Sequence, residues 1–287
     1  MQISAQKLAY TYGEGSAVSF KALNGVDITI NEGSFFGIIG KTGSGKSTFI
    51  QHLNGLIKVQ KESGKLVVGE FDLTDKKTNY KNLRAKVGMV FQYPEQQLFA
   101  ETVYEDVAFG IKNFMPNKTD GEVKEMVANA LLLVGINDPT IMEKSPFDLS
   151  GGQKRRVAIA GVIASRPEVL VLDEPVAGLD PVGKREFLSL LKKLHQDFIK
   201  TIIIVSHDMN VISENCTDVA VFMDGKVVSE GSPKQVFGCS DAINASLSDC
   251  TVASLVKGLS QAGVNIDCDF TVEDFTNAFS LFYKGVK

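Results

Sequence analysis

The sequence predicts an α/β fold built around a buried parallel sheet, and two observations support this prediction. Three short runs are continuously apolar, which is typical of parallel strands covered on both faces; they are 35–39, 169–172 and 201–205. Each run is followed by glycine or by polar side chains, so the carboxyl edge of the sheet should collect groups that bind a ligand. The chain has 287 residues, of which 44% are apolar, and can therefore bury a large core.

The first apolar run leads into a glycine-rich loop that predicts phosphate binding. Residues 40–47, GKTGSGKS, fit the pattern G-x-x-x-x-G-K-[ST] and precede a helix-compatible segment. Glycines let backbone N–H groups converge on a phosphate, and the helix N-terminus adds a positive dipole. Lys46 should reach the β- and γ-phosphates, and Ser47 should bind Mg²⁺. The predicted nucleotide-binding residues are Gly40, Thr42, Gly43, Ser44, Gly45, Lys46, Ser47 and Thr48. A glycine-rich turn without a ligand is the competing interpretation of the pattern alone.

The other two apolar runs end in candidate catalytic residues. Asp173 and Glu174 follow one strand, where Asp173 can hold Mg²⁺ and Glu174 can act as the general base that polarises the attacking water. His207 follows the other strand and is well placed to contact a γ-phosphate. An acidic pair that merely caps a strand and a structural histidine are the plain alternatives.

The peptide Leu149-Ser150-Gly151-Gly152-Gln153 lies between these motifs, and with it residues 1–235 resemble the ABC ATPase family. The resemblance implies a P-loop NTPase of ABC type, with an antiparallel β subdomain, a helical subdomain at about 93–160 and a small C-terminal helical appendage at 236–287. ATP and Mg²⁺ are the implied cofactors. Further implied roles are Gln92 as the Q-loop glutamine that touches the metal and water, Tyr12 as the aromatic that stacks on adenine, Asp180 at the dimer seam, and Ser150, Gly151, Gly152 and Gln153 as the signature presented to the ATP of a second subunit. Tyr12 could instead be an edge-strand aromatic, and Ser150 with its glycines only a helix cap.

The segment after Gln92 sharpens the resemblance. Residues 91–99, FQYPEQQLF, and 103–110, VYEDVAFG, are similar to ATPases of energy-coupling factor (ECF) importers, and Thr42 and Leu98-Phe99 are more like the second of their two ATPase subunits. The resemblance implies an ATP hydrolase that powers import of vitamins or other micronutrients at the cytoplasmic face of the cell membrane. Its implied partners are a second ABC ATPase in a heterodimer, a transmembrane coupling subunit and small substrate-binding membrane subunits. The alternatives are a conventional ABC importer subunit and a soluble mechanochemical ABC ATPase.

Composition limits the remaining function classes. A net charge of −4 disfavours broad nucleic-acid binding, and no apolar run approaches the roughly 18 residues that a membrane-spanning helix needs. The N-terminus lacks the pattern of a signal peptide, so we expect a cytosolic protein. The four cysteines show no C-x-x-C spacing and are expected to be reduced packing residues; they are Cys216, Cys239, Cys250 and Cys268.

Two further expectations concern surfaces. The basic run Lys154-Arg155-Arg156 is expected to form a solvated helix face. In the C-terminal appendage, an apolar stripe is expected on one face of the last helix, as intramolecular core or as a dimer contact; it consists of Val272, Phe275, Phe279 and Phe282.

Overall fold

The computed structural model describes residues 1–16, 18–238 and 250–285. Its strands are β1 Ile3–Tyr12, β2 Phe20–Ile30, β3 Phe35–Gly40, β4 Lys65–Val68, β5 Phe71–Asp72, β6 Val87–Val90, β7 Val169–Asp173, β8 Thr201–Val205, β9 Asp218–Met223 and β10 Lys226–Gly231. Its helices are α1 Lys46–Leu53, α2 Tyr80–Lys86, α3 Val103–Phe114, α4 Asp120–Leu133, α5 Gly151–Ile163, α6 Pro181–Asp197, α7 Met209–Asn215, α8 Pro233–Gly238, α9 Thr251–Gln261 and α10 Val272–Gly285. Short 3₁₀ helices span Pro94–Gln97, Pro139–Glu143 and Pro146–Asp148.

The strands form two sheets. One is antiparallel in the order β2-β1-β4-β5, and the other has the order β10-β9-β3-β8-β7-β6. In the second, central sheet the pairs β9/β3, β3/β8, β8/β7 and β7/β6 are parallel, and only β10 is antiparallel to its neighbour. The predicted α/β fold with an antiparallel subdomain is confirmed.

The inner strands of the central sheet, β3, β7 and β8, are buried on both faces because nearly all of their residues are apolar. Alternate side chains of a strand point to opposite faces. In β7, Leu170 and Leu172 belong to the core shared with the helices, whereas Val169 and Val171 belong to the core shared with the antiparallel sheet. The continuous apolar runs seen in the sequence are therefore explained by two cores that share one sheet.

Three helices follow the sixth strand along the chain and begin at capping boxes. Thr102 caps α3 with Glu105, Thr119 caps α4 with Glu122, and α5 starts in the same way. In each box two backbone N–H groups of the first turn find side-chain acceptors, which fixes where the helix starts. Their apolar faces pack into the helix-side core. None of the described helices combines the length and apolarity that a membrane span requires.

The C-terminal helices add to the helix-side core and leave part of their apolar surface exposed. Cys250, Ala253 and Phe270 are buried in that core, as is Cys216, in agreement with packing roles for these thiols. Cys239 lies outside the described residues. The expected stripe on α10 is only partly core: Phe275 packs against the cluster, whereas Val272, Phe279 and Phe282 are exposed. The boundaries of the predicted domains remain predictions.

Candidate active site

A cavity of about 470 Å³ lies at the carboxyl edge of the central sheet. The ends of β3, β8 and β7 meet there because these parallel strands are neighbours. The predicted site residues that line the cavity are Thr42, Gly43, Gly45, Lys46, Ser47, Thr48, Gln92, Asp173, Glu174 and His207. The lining also includes Phe20, Ala22 and Val205, which the sequence analysis did not predict.

The phosphate loop begins helix α1 without a side-chain cap. Gly45 occupies the N-cap position with φ of +102°, and the first backbone N–H groups of the helix are left to bind a ligand. A Cβ at Gly45 would lie 2.5 Å from the carbonyl oxygen of Ala22, so both the conformation and the space require glycine here. The loop is therefore shaped for an anion at the helix N-terminus.

Lys46 folds back onto the loop that precedes it. Its Nζ donates to the carbonyl oxygens of Gly40 at 2.7 Å and Lys41 at 2.9 Å. Burial lowers the pKa of Lys46, and the carboxylates of Glu174 and Asp173 oppose that shift. The ammonium group thus lies in a partly desolvated loop, where it interacts strongly with phosphate oxygens.

The acidic pair places two carboxylates in different environments. Burial raises the pKa of Asp173 and the Glu174 charge adds to the rise, whereas a hydrogen bond from Ser47 opposes it. Glu174 has φ of +48°, donates its N–H to the Val205 carbonyl at 3.0 Å, and accepts a hydrogen bond from His207 Nδ1 at 2.8 Å. The strained backbone at Glu174 is held by β8 and directs its side chain into the cavity.

Tyr12, Gly40 and Ser44 do not line the cavity. Gly40 and Ser44 are buried in the turn of the loop, and the Ser44 hydroxyl has no hydrogen-bond partner among the described residues. Tyr12 is partly exposed beside the cavity, with its hydroxyl 3.3 Å from that of Thr48. Phe20 is paired with Tyr12 across β1 and β2 and is itself 57% exposed. The aromatic side chains of Tyr12 and Phe20 therefore lie at the edge of the cavity where the adenine base is expected.

The signature residues and Asp180 lie outside this cavity. Ser150 and Gln153 form the capping box at the start of α5, with Ser150 Oγ accepting from Gln153 N–H at 3.4 Å. Gly151 and Gly152 are exposed in the first turn. Asp180 caps α6 by accepting from Gly183 N–H at 2.8 Å. Ser150, Gln153 and Asp180 thus act as helix caps within the chain, and all five residues are exposed, which leaves them free to face another molecule.

The expectation of a solvated basic face on α5 is wrong at its middle residue. Arg155 is 5% exposed, whereas Lys154 and Arg156 are partly exposed. Because successive residues of a helix are about 100° apart, three adjacent side chains cannot all share the outer face.

A second, apolar groove of about 310 Å³ lies beyond Gln92, on the helical side of the central sheet. It is lined by Gln97 at the end of the 3₁₀ helix, by Leu98 and Phe99 after it, and by Phe109 of α3. The rings of Phe99 and Phe109 meet edge to face with centroids 5.0 Å apart, and both rings are largely exposed. This surface is called the Phe99 groove below.

A loop of backbone N–H groups that carries Lys46, together with the partly buried carboxylate of Asp173, places this molecule among the P-loop nucleotide-binding proteins. The family model described as ABC transporter matches residues 23–177. The chain is 45% identical over 275 residues to the energy-coupling factor transporter ATP-binding protein EcfA2 of Clostridium tetani, covering 95% of this chain and 94% of that protein. It is 44% identical over 289 residues to the EcfA2 of Caldanaerobacter subterraneus subsp. tengcongensis, covering 100% and 99%.

Solved structures agree with the sequence comparisons. The structure of cbiO1 from Clostridium perfringens, described as part of the ABC transporter complex cbiONQ, has a TM-score of 0.72 and 38% identity, covering 82% of this chain and 90% of that one. The ATP-binding cassette MJ0796, a dimer in a post-hydrolysis state with ADP and Pi, has a TM-score of 0.70 and 29% identity, covering 80% and 98%. The chain therefore belongs to the ABC transporter family, among the ATP-binding proteins of energy-coupling factor transporters.

Proposed function

We propose that this chain is the ATP-hydrolysing subunit that powers an ECF-type importer of vitamins or other micronutrients. The observation that carries the proposal is the 44–45% identity to ECF ATP-binding proteins over nearly the whole chain, C-terminal helices included. Neither a conventional importer subunit nor a soluble mechanochemical ATPase is favoured by any observation. The proposed division is a nucleotide-binding domain at 1–235, a helical subdomain at about 93–160 and an appendage at 236–287 that offers a dimer contact.

ATP would lie with its phosphates on the loop 40–47 and its base near Tyr12. Ser47 and Asp173 supply a hydroxyl and a carboxylate in hydrogen-bond contact, and Gln92 lines the same cavity. Hard oxygen ligands of this kind, completed by phosphate oxygens and water, suit Mg²⁺. Glu174 would act as general base for the attacking water, and His207 would hold that carboxylate in place while facing the γ-phosphate.

The composite site implies a second ATPase chain. Residues Ser150 to Gln153 are exposed at the start of α5 and outside the cavity of their own chain. In the proposed head-to-tail dimer, they and Asp180 complete the ATP site of the partner. Because ATP would then make all of its contacts only in the closed dimer, ATP binding drives closure. A shift of the closed-to-open ratio from 1:99 to 99:1 requires that ATP favour the closed state by about 5.5 kcal/mol.

The Phe99 groove is the proposed contact for the transmembrane coupling subunit. Phe91, directly before Gln92, and Gln97, five residues after it, both line the groove, so a helix seated there would sense the metal side of the ATP site through one short segment. Its exposed aromatic rings offer an apolar surface for such a helix. The chain would thereby sit at the cytoplasmic face of the cell membrane, and the small substrate-binding membrane subunits would be reached through the coupling subunit.

The test is a tagged pull-down of the full chain from detergent-solubilised membranes of its host, with mass spectrometry of the co-eluting proteins. Wild-type protein is expected to recover a second ABC ATPase, one transmembrane protein and several small hydrophobic proteins. Phe109→Asp should lose the membrane proteins and retain the second ATPase. Leu132→Asp is the matched control, since Leu132 of α4 and Phe109 are each 54% exposed and Leu132 does not line the groove. Recovery of wild-type protein only in the soluble fraction would overturn the proposal.

A further inference from the structure

Arg155 is a buried arginine that contacts three separate parts of the molecule. Its Nη1 and Nη2 donate to the carbonyl oxygen of Ala177 at 3.4 and 3.3 Å. Its Nε lies 3.7 Å from Glu95 Oε2, and its guanidinium stacks over the Phe187 ring at 6.0 Å from the centroid. Burying an ion is costly, and the hydrogen bonds to Ala177, the nearby Glu95 carboxylate and the Phe187 ring offset part of that cost.

Glu95 and Ala177, the two residues that Arg155 joins, each lie three residues along the chain from a residue that lines the ATP cavity. Glu95 lies in the 3₁₀ helix Pro94–Gln97, three residues after Gln92 and two residues before Gln97 of the Phe99 groove. Ala177 lies in the loop between Glu174 and Asp180. One guanidinium on the signature helix α5 thus joins the segment that faces the groove to the segment that carries the general base.

A second contact joins the same two segments. Tyr93 lies directly before the 3₁₀ helix with φ of +56°. A Cβ built at Gly178 would be 3.6 Å from Tyr93 Cε1, which places this ring against the loop of Ala177. A displacement of the segment after Gln92 would therefore shift the loop of Ala177 through this contact, and the reverse.

The ion pair between Glu95 and Arg155 is incomplete. At 3.7 Å the two atoms are too far apart for a hydrogen bond. Among the described residues, neither Glu95 Oε2 nor Arg155 Nε has a hydrogen-bond partner, although both atoms are buried. Buried polar atoms are normally satisfied, and a shift of about 1 Å would bring this pair within hydrogen-bond distance.

We propose that Arg155 is a positioning residue that couples the segment after Gln92 to the loop Glu174–Asp180, and that the Glu95–Arg155 pair closes when the chain is competent to hydrolyse ATP. The coupling rests on the proposed function, because a subunit docked in the Phe99 groove would press on the helix of Glu95. Arg155 itself does not line the ATP cavity, so it acts on the rate of hydrolysis through the carbonyl of Ala177 and leaves ATP binding unchanged.

The test measures steady-state ATP hydrolysis of the full chain in the complex recovered from membranes, together with Mg-ATP affinity and the thermal midpoint. Arg155→Met keeps an unbranched, flexible stem and removes the guanidinium with its contacts to Ala177, Glu95 and Phe187. We expect kcat to fall at least about tenfold, since small misplacements of catalytic groups cost up to about 10²-fold, with Mg-ATP affinity within about threefold of wild type. Arg155→Lys keeps the positive charge but cannot donate two hydrogen bonds from a planar fork, so it should retain an intermediate rate of ATP hydrolysis.

The matched control is Arg156→Met. Arg156 is the next residue of α5 and donates to the Val134 carbonyl at 3.1 Å and to Glu186 at 2.8 Å, contacting neither Glu95 nor Ala177. Its kcat should stay near wild type. Glu95→Gln serves where Arg155→Met fails to fold, because the Glu95 side chain is 27% exposed and glutamine has the same shape. Glu95→Gln should lower kcat, and Glu95→Gln/Arg155→Met should be no slower than Arg155→Met alone.

Four results would overturn the inference while leaving the proposed function intact: unchanged kcat in Arg155→Met, an equal loss in Arg156→Met, a loss of Mg-ATP affinity in proportion to kcat, or additive effects of Glu95→Gln and Arg155→Met. A wild-type complex that hydrolyses no ATP would overturn the proposed function and the inference with it. Glu174→Gln is measured in the same assay. If it lowers the rate while Arg155→Met does not, only the inference fails; if wild type and Glu174→Gln are equally inactive, the proposed function fails as well.

Discussion

Replacing Glu174 by glutamine should separate ATP binding from ATP hydrolysis. The glutamine side chain has the same shape, and its carbonyl can still accept the hydrogen bond from His207 Nδ1 that spans 2.8 Å. The backbone at φ of +48° remains held by the hydrogen bond to Val205. Only the proton-accepting carboxylate is removed. General-base assistance is typically worth 10²–10⁴-fold, which corresponds to about 3–5 kcal/mol of activation free energy.

The assay is phosphate release at saturating Mg-ATP, with affinity measured in parallel by calorimetry. We expect kcat to fall at least about 10²-fold while the affinity for Mg-ATP changes little. Glu168→Gln is the matched control, because Glu168 precedes the same strand at its opposite end and pairs there with Lys86 at 3.2 Å. Turnover of Glu174→Gln close to wild type, or an equal loss in Glu168→Gln, would refute the role of Glu174.

Three further predictions concern the phosphate loop and the buried carboxylate. Lys46→Ala should abolish Mg-ATP binding in calorimetry, because among the described residues Lys46 is the one lysine or arginine that lines the cavity. Gly45→Ala should weaken Mg-ATP binding and lower the thermal midpoint, since its Cβ would meet the Ala22 carbonyl at 2.5 Å in a positive-φ conformation. Asp173→Asn should raise the thermal midpoint of the nucleotide-free protein at pH 7, because the folded state raises the pKa of Asp173 and its charge is destabilising there.

The sign of the pH effect follows from that raised pKa. Between the unfolded and the folded pKa of Asp173, the folded state binds more protons, so its stability falls as pH rises through this window. The advantage of Asp173→Asn should therefore be full above the folded pKa and shrink as pH is lowered through it. Asp197→Asn, at the exposed end of α6, is the matched control for the removal of one carboxylate. A midpoint of Asp173→Asn below wild type at pH 7, unchanged affinity in Lys46→Ala, or wild-type behaviour of Gly45→Ala would each contradict these expectations.

The sequence predicted the elements whose signals are local. Strands β3, β7 and β8 are continuous apolar runs, and the phosphate loop is a contiguous motif, so each could be located without knowledge of its neighbours. The ATP cavity follows from them because parallel strands place their carboxyl ends together.

What escaped prediction depends on long-range pairing. Phe20 reaches the cavity through a register with Tyr12 that contains bulges, and no local pattern reveals such shifts. Arg155 is buried because α5 packs against Glu95, which precedes it in the chain, and Ala177, which follows it. The basic run 154–156 indicates neither contact. The exposure of Phe279 and Phe282 likewise depends on which face of α10 meets the core.

The phosphate loop is held from two sides before any ligand arrives. The Ser44 carbonyl accepts from Gly225 N–H at 3.1 Å, and Gly45 lies against Ala22 of β2. The loss of conformational entropy that ordering this glycine-rich loop entails is thus met when the chain folds, not when nucleotide binds. ATP should consequently meet a preorganised anion cradle, and the affinity it gains from each phosphate contact should appear nearly undiminished in the measured binding free energy.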